Sequence, residues 1–239
     1  MEAEQVQRVL VVAAHPDDVD FASGGTIAAW TDTGLDVSYC IVTDGDAGGF
    51  DPEVPRSSIG GIRQEEQRKA AATLGVSDIE FLGYPDGRLM VSFDLRRDIS
   101  RAIRRVRPDR VLIQSPERDL RSIYASHPDH LAAGEAALCA VYPDARNPFA
   151  HPELLAEEGL QAHTVPEVWV ASPNDRADHY VDVTDTFDRK IAALRAHASQ
   201  TAHMTTLDER MRGWGTLQAQ AAGLPDGSLA EGYLILDTR

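Results

Sequence analysis

Lysine is almost missing from this sequence. Among 239 residues only Lys69 and Lys190 carry an ammonium, and the formal net charge is −15. Nucleic acid and anionic lipid surfaces are held by clustered cations, so both are excluded as partners. The acidic balance reads as solubility. Cysteine is scarce too. Cys40 and Cys139 lie in apolar strand-like and helix-like stretches, where they read as small buried hydrophobes rather than as a disulfide or a nucleophile. No run approaches the roughly 18 consecutive apolar residues that span a bilayer. Residues 1–5 lack the basic region and apolar core of a signal peptide, which makes the cytoplasm the expected location. A Gly-x-Ser-x-Gly elbow is also absent, which removes the serine hydrolases of the α/β type. Gly45, Gly48 and Gly49 are not followed by Gly-Lys-Ser/Thr, so they form a substrate loop or a turn and not a phosphate loop.

What is present is alternation. Hydrophobic residues make up 43% and charged residues 26%, an ordinary globular balance, and the length suits one α/β domain over 1–239. The continuous apolar run 8–14 suits a strand buried on both faces. A helix is expected around 24–33, ending near Gly34, then a strand over 37–43 and a long loop over 44–59. The pattern goes on with helix 61–74, strand 79–83, helix 93–106, strand 110–114 and helix 128–141. An irregular crossover follows to about 166, then strands 165–171 and 180–183, helix 186–198 and a last strand 232–237. Repeated βα units predict a Rossmann-like, doubly wound, mostly parallel sheet with helices on both faces.

Two short polar clusters stand at strand-to-helix edges, where open α/β sheets place their ligands. They are Ala14-His15-Pro16-Asp17-Asp18 and Ser126-His127-Pro128-Asp129-His130. Catalytic zinc takes three His or carboxylate ligands and leaves a fourth position for water. His15 and Asp18, three apart, can face one centre from a tight turn, while Asp17 between them points elsewhere and is a candidate base. His127 and His130 repeat the spacing, so one can bind metal and the other stay free. Asp129 is close enough to orient one of the imidazoles. Either cluster alone also reads as a helix start, with an Asp cap and a Pro in the first turn. Their recurrence in one chain favours a shared site for one zinc ion. Arg63 either contacts a polar substrate group or pairs with Glu66 on a helix surface. His197 either caps a helix end, the favoured reading, or reaches the site rim.

The first cluster, followed by Phe21 and Gly24-Gly25-Thr26, resembles the opening of the PIG-L/LmbE family of zinc-dependent de-N-acetylases. Further similarity lies in Thr43-Asp44-Gly45-Asp46-Ala47-Gly48-Gly49, Arg63-Gln64-Glu65-Glu66, Ala70-Ala71, Leu74-Gly75, Asp86-Gly87, Arg107-Pro108-Asp109, His127-Pro128-Asp129-His130 and His197-Ala198-Ser199-Gln200. The resemblance implies that His15, Asp18 and His130 ligate zinc and that Asp17 is the general base. It further implies that His127 stabilises the oxyanion or protonates the leaving amine, with Asp129 orienting it, and it tilts Arg63 toward substrate. A small N-acylated substrate, most often acetylated, is the expected partner, and a homo-oligomer is compatible with the chain. The chain departs from the family at Val19, where an acidic residue is common, with Asp20 one position later. It departs again at Ala125, where some members carry Tyr and where Tyr124 is only adjacent, and in an Arg-rich stretch with Arg118 and Arg121. Those arginines keep a second class open, a metal-dependent hydratase or lyase on an unsaturated carboxylate. A non-catalytic binding protein is weaker, because both clusters retain every residue the chemistry needs.

Overall fold

The computed structural model describes residues 6–121, 123, 126–171 and 176–239. The opening residues 1–5, Tyr124 and Ala125 thus lie outside the described residues. Seven strands form one sheet: β1 (Arg8–Ala13), β2 (Asp36–Thr43), β3 (Asp78–Tyr84), β4 (Arg110–Gln114), β5 (Glu167–Ala171), β6 (His179–Asp182) and β7 (Ala230–Asp237). The helices are α1 (Asp18–Asp32), α2 (Arg56–Thr73), α3 (Phe93–Val106), α4 (Pro128–Cys139), α5 (Pro152–Ala156), α6 (Phe187–Ala196), α7 (Ala198–Thr201) and α8 (Leu207–Ala221). The sheet order is β3-β2-β1-β4-β5-β7-β6. The first five strands run parallel, and β7 is antiparallel to both β5 and β6.

Strand β1 shows why the apolar run is continuous. Leu10, Val12 and Ala14 join the core that holds Leu95, Ile99 and Ile103 of α3 and Ala133, Ala136 and Ala137 of α4. Val9, Val11 and Ala13 join the opposite core with Ile27 and Trp30 of α1 and Ala70 and Ala71 of α2. Alternate side chains of one strand thus feed both faces of a parallel sheet. Among the described residues no helix is long and apolar enough to cross a membrane. Cys40 is buried and Cys139 partly so, and both are free.

Helix α1 begins six residues earlier than its sequence suggests. Gly24 and Gly25 are weak helix formers, yet here they are required. A Cβ on Gly24 would stand 3.1 Å from Lys190 Cγ, and one on Gly25 only 2.7 Å from Val183 Cβ. The space serves a buried ion pair. Lys190 Nζ donates to Glu231 Oε1 at 2.5 Å and to the Phe21 carbonyl at 2.8 Å. The Glu231 carboxylate in turn accepts the Gly25 and Thr26 N–H groups.

Helices α7 and α8 are absent from the sequence reading. The buried residues of α8 are only Leu207, Met211, Gly215 and Ala219, a narrow stripe interrupted by glycine that gives little periodic signal.

Beneath β4, helix α4 approaches at Gly134, where a Cβ would lie 2.4 Å from the Gln114 carbonyl oxygen. Helix propensity alone favours Gly134→Ala, but the contact reverses the sign. The variant is expected to lose about 1–3 kcal/mol through overpacking, readable as a lower Tm. An unchanged or raised Tm would contradict the close approach.

Candidate metal centre

The chain runs outward from β1 through β2 to β3, then returns to the other side of β1 with β4. The adjacent pair β1 and β4 is therefore the switch point of the sheet, the place where such folds open a crevice. Both polar clusters leave from the carboxyl ends of these two strands. The ends are tied by the Ala14 N–H, which donates to Gln114 Oε1 at 2.8 Å.

Immediately after β1 the chain reverses through Asp17, which sits at φ 96° and ψ −27°. This left-handed conformation costs most residues about 1–2 kcal/mol, and Asp and Asn are among the few that visit it. The reversal brings Asp18 back over His15. Its Oδ2 accepts the His15 N–H at 2.7 Å and stands 3.2 Å from His15 Nδ1. Its Oδ1 stands 3.0 Å from His130 Nε2, and the two imidazole nitrogens are 3.3 Å apart. Ligands about 2.0–2.1 Å from a tetrahedral ion lie roughly 3.3 Å from one another. His15 Nδ1 and His130 Nε2 have that separation, and each lies beside a different oxygen of Asp18, which makes the two imidazoles and this carboxylate a candidate set for one small divalent cation. A second grouping, His15 with His127 and His130, has its nitrogens within 4.8 Å of one another. The set containing Asp18 adds an anionic donor to the same pair of imidazoles, His15 and His130.

The far nitrogen of His15 explains how the ring is held. Nε2 lies 3.1 Å from Asp86 Oδ1 and 3.3 Å from Asp129 Oδ2. Asp129 is itself fixed by the N–H groups of Gly87 and Leu89, and Asp86 by that of Ala47. Two carboxylates on Nε2 keep a proton there and leave the Nδ1 lone pair for a metal. Burial works against a charge on His15, yet Asp18, Asp129 and Asp86 outweigh it and push the group up to about 12. So many carboxylates around one imidazole make a donor set that a cation complements. Asp86 has no role in the sequence reading, although Asp86-Gly87 belongs to the resemblance. Its signal is a carboxylate just past a strand end beside a glycine at φ 77°.

Asp129 departs from expectation, because its carboxylate faces His15 and not His127. Only its backbone N–H meets His127, donating to Nδ1 at 3.2 Å as His127 caps α4. The cluster therefore starts a helix and builds a site at once. With Nδ1 accepting, the His127 proton belongs on Nε2. Burial, with His15 and His130 nearby, holds its pKa below the ordinary value.

Asp17 and Asp18 are neighbours in opposite surroundings. Burial pushes Asp17 up to about 6, with Arg63 opposing. Burial also acts on Asp18, but His130 and His15 outweigh it and hold that carboxyl well below its usual range. Arg63 does not pair with Glu66. It is 4% exposed, and its guanidinium meets Asp17 Oδ2 at 3.2 Å and donates to the carbonyls of Gly45 and Pro16. A Cβ on Gly45 or Gly48 would strike that guanidinium, so the glycine loop is packed upon Arg63. Glu66 instead accepts from the N–H and hydroxyl of Ser199.

His197 does end α6, but its ring is fully buried and its Nε2 lies 2.8 Å from Asp20 Oδ2. This pair gives the displaced acidic residue at position 20 its place, while Val19 enters the core. Arg118 reaches the Ser126 carbonyl at 3.5 Å, and the Arg121 N–H donates to Asp119.

Residues 10–141, which include both clusters, match the family model described as PIG-L: GlcNAc-PI de-N-acetylase. The chain belongs to the PIG-L family. Among curated PIG-L relatives, a diacetylchitobiose deacetylase of Thermococcus kodakarensis is 36% identical over 198 residues, 82% of this chain and 70% of that one. A probable N-acetyl-alpha-D-glucosaminyl L-malate deacetylase 2 of Bacillus cereus is 33% identical over 205 residues, 83% of this chain and 86% of that one. The solved N,N'-diacetylchitobiose deacetylase of Pyrococcus horikoshii, complexed with its inhibitor, superposes with a TM-score of 0.88 at 28% identity. It covers 98% of this chain and 85% of that one. The α/β architecture of this PIG-L chain is thus that of the family's deacetylases.

Proposed function

We propose that this chain is a zinc-dependent hydrolase that removes the N-acetyl group from a small acetylated amino sugar or a related glycoside. The observation that carries the reading is the convergence of His15 Nδ1 and His130 Nε2, 3.3 Å apart, on the two oxygens of Asp18 at 3.2 and 3.0 Å, with Asp17 turned aside onto Arg63. The relatives, named as deacetylases of acetylated sugars, support the choice of substrate class. A zinc ion bound by the three residues supplies Lewis-acid activation of water and of an acyl oxygen. Asp17 accepts the proton of the attacking water, being the carboxylate of the first cluster that is free of the ligand set. His127 directs its Nε2–H toward the developing oxyanion, and the proton that Asp17 took from water passes to the leaving nitrogen. Asp86 and Asp129 hold the His15 ring so that its Nδ1 keeps facing the centre. The products are a free amine and acetate.

Metal analysis and substrate turnover test this together. His15→Ala and His130→Ala are expected to lose most bound zinc, while the parent protein releases amine from N-acetylated sugars such as N,N'-diacetylchitobiose. Full zinc retention in both variants would sink the ligand assignment. Turnover of unsaturated carboxylic acids in place of the sugars would sink the amide reading. No arrangement at Arg118 favours that second chemistry, since this side chain reaches back to its own loop.

A further inference from the structure

We infer that Gln67 is a positioning residue for Asp17, fixing the peptide plane from which the base projects. The inference rests on the reading of Asp17 as the base. Asp17 is a non-glycine residue at φ 96°, a conformation that persists only where its surroundings hold it. Its carbonyl is engaged by α1, accepting the N–H groups of Asp20 and Phe21, both at 3.0 Å. Its own N–H lies outside that helix and donates to Gln67 Oε1 at 2.8 Å.

The other end of the same amide fixes its direction. Gln67 Nε2 donates to Asp20 Oδ2 at 2.9 Å, and that oxygen also meets His197 Nε2 at 2.8 Å. Gln67, Asp20 and His197 are all fully buried. The Asp17 N–H can only donate and a carboxylate can only accept, so one orientation of the amide satisfies both. Helix α2 therefore grips Asp17 at two points one turn apart. Arg63 takes the carboxylate and Gln67, four residues on, takes the backbone. A side chain lacking the acceptor would release the Asp17 peptide toward negative φ and swing the carboxylate away from the crevice. Misplacement of a reacting group by about 1 Å is enough to cost on the order of 100-fold in rate.

A double-mutant cycle separates this role from a general structural one. Gln67→Leu is expected to lower kcat about 10- to 100-fold on an N-acetylated sugar, with KM changed less than about threefold. Metal content per chain should match the parent. In the Asp17→Asn background the same substitution should change kcat by less than about threefold, because the group it positions no longer takes a proton. Gln67→Met, of equal length and equally without an acceptor, is read in the same cycle and replaces the Leu variant if that one does not fold. A kcat within about threefold of the parent for a folded Gln67 variant, or a full loss repeated in the Asp17→Asn background, would overturn the inference. Full activity of Asp17→Asn by itself would instead overturn the assignment of the base.

Discussion

Asp17→Asn is expected to keep its metal and to lower turnover about 10²- to 10⁴-fold, the usual consequence of removing a general acid–base group. The substitution suits the backbone, because Asn tolerates the left-handed conformation at φ 96° nearly as well as Asp does. It conserves size beside Arg63 and removes the negative charge together with the ability to take a proton. Arg63 loses a charged partner at 3.2 Å and keeps Asp86 Oδ2 at 3.8 Å together with two carbonyls, so the fold should persist. The checks are kcat and metal per chain on the same preparation. Loss of metal in place of rate would exchange the roles of Asp17 and Asp18. Unchanged turnover would remove Asp17 from the chemistry.

That the two acidic side chains face different neighbours, Asp18 toward His15 and His130 and Asp17 toward Arg63, was legible in the sequence, because a three-residue spacing from His15 to Asp18 leaves the residue between them facing elsewhere. The alternation of strands and helices was equally legible. Each apolar run of a parallel strand is bounded by a glycine or a polar cluster, and α3 and β4 stand where the pattern puts them, at Phe93–Val106 and Arg110–Gln114.

Other features could not be read because they depend on partners distant in sequence. The carboxylate of Asp129 turns to His15, 114 residues away, drawn by two N–H groups of the 87–89 turn that no local pattern predicts. Arg63 has the sequence context of a surface helix residue, yet the glycine loop and the crevice floor close over it. The early start of α1 was hidden by Gly24 and Gly25. Their small size answers to Lys190 and Val183 from far along the chain.

The scarcity of lysine acquires a meaning there. Lys190 is one of two lysines in the chain and is buried against Glu231, both side chains being 6% exposed. Lys190→Met leaves the Glu231 charge without a compensating cation and is expected to cost about 3–5 kcal/mol. For a domain of this size that lowers Tm by roughly 6–20 °C. Glu231→Gln should lose a comparable amount, since it removes the negative charge beside the buried ammonium and turns an amide N–H toward the Gly25 or Thr26 N–H. The pair replaced together, Lys190→Met with Glu231→Gln, should recover part of the loss, because two uncharged side chains strand no ion. Thermal unfolding of the three variants checks this. Single variants that melt within about 2 °C of the parent would show the pair to be energetically idle.

The join between β1 and β4 also governs when the centre can come into being. Its donors arrive from two segments of the polypeptide, and the contact between His15 and His130 spans 115 positions. A chain cut before α4 would carry His15 and Asp18, two of the three donors, and would lack His130. In the unfolded polypeptide the same side chains are separated by a long flexible loop whose closure is entropically opposed. A metal ion therefore recognises the finished molecule far better than any part of it, and its binding draws the folding equilibrium toward the native state by mass action. Under the proposed metal assignment, metal supply and resistance to unfolding become one variable, and starvation for the ion would be felt as lability before it was felt as lost catalysis.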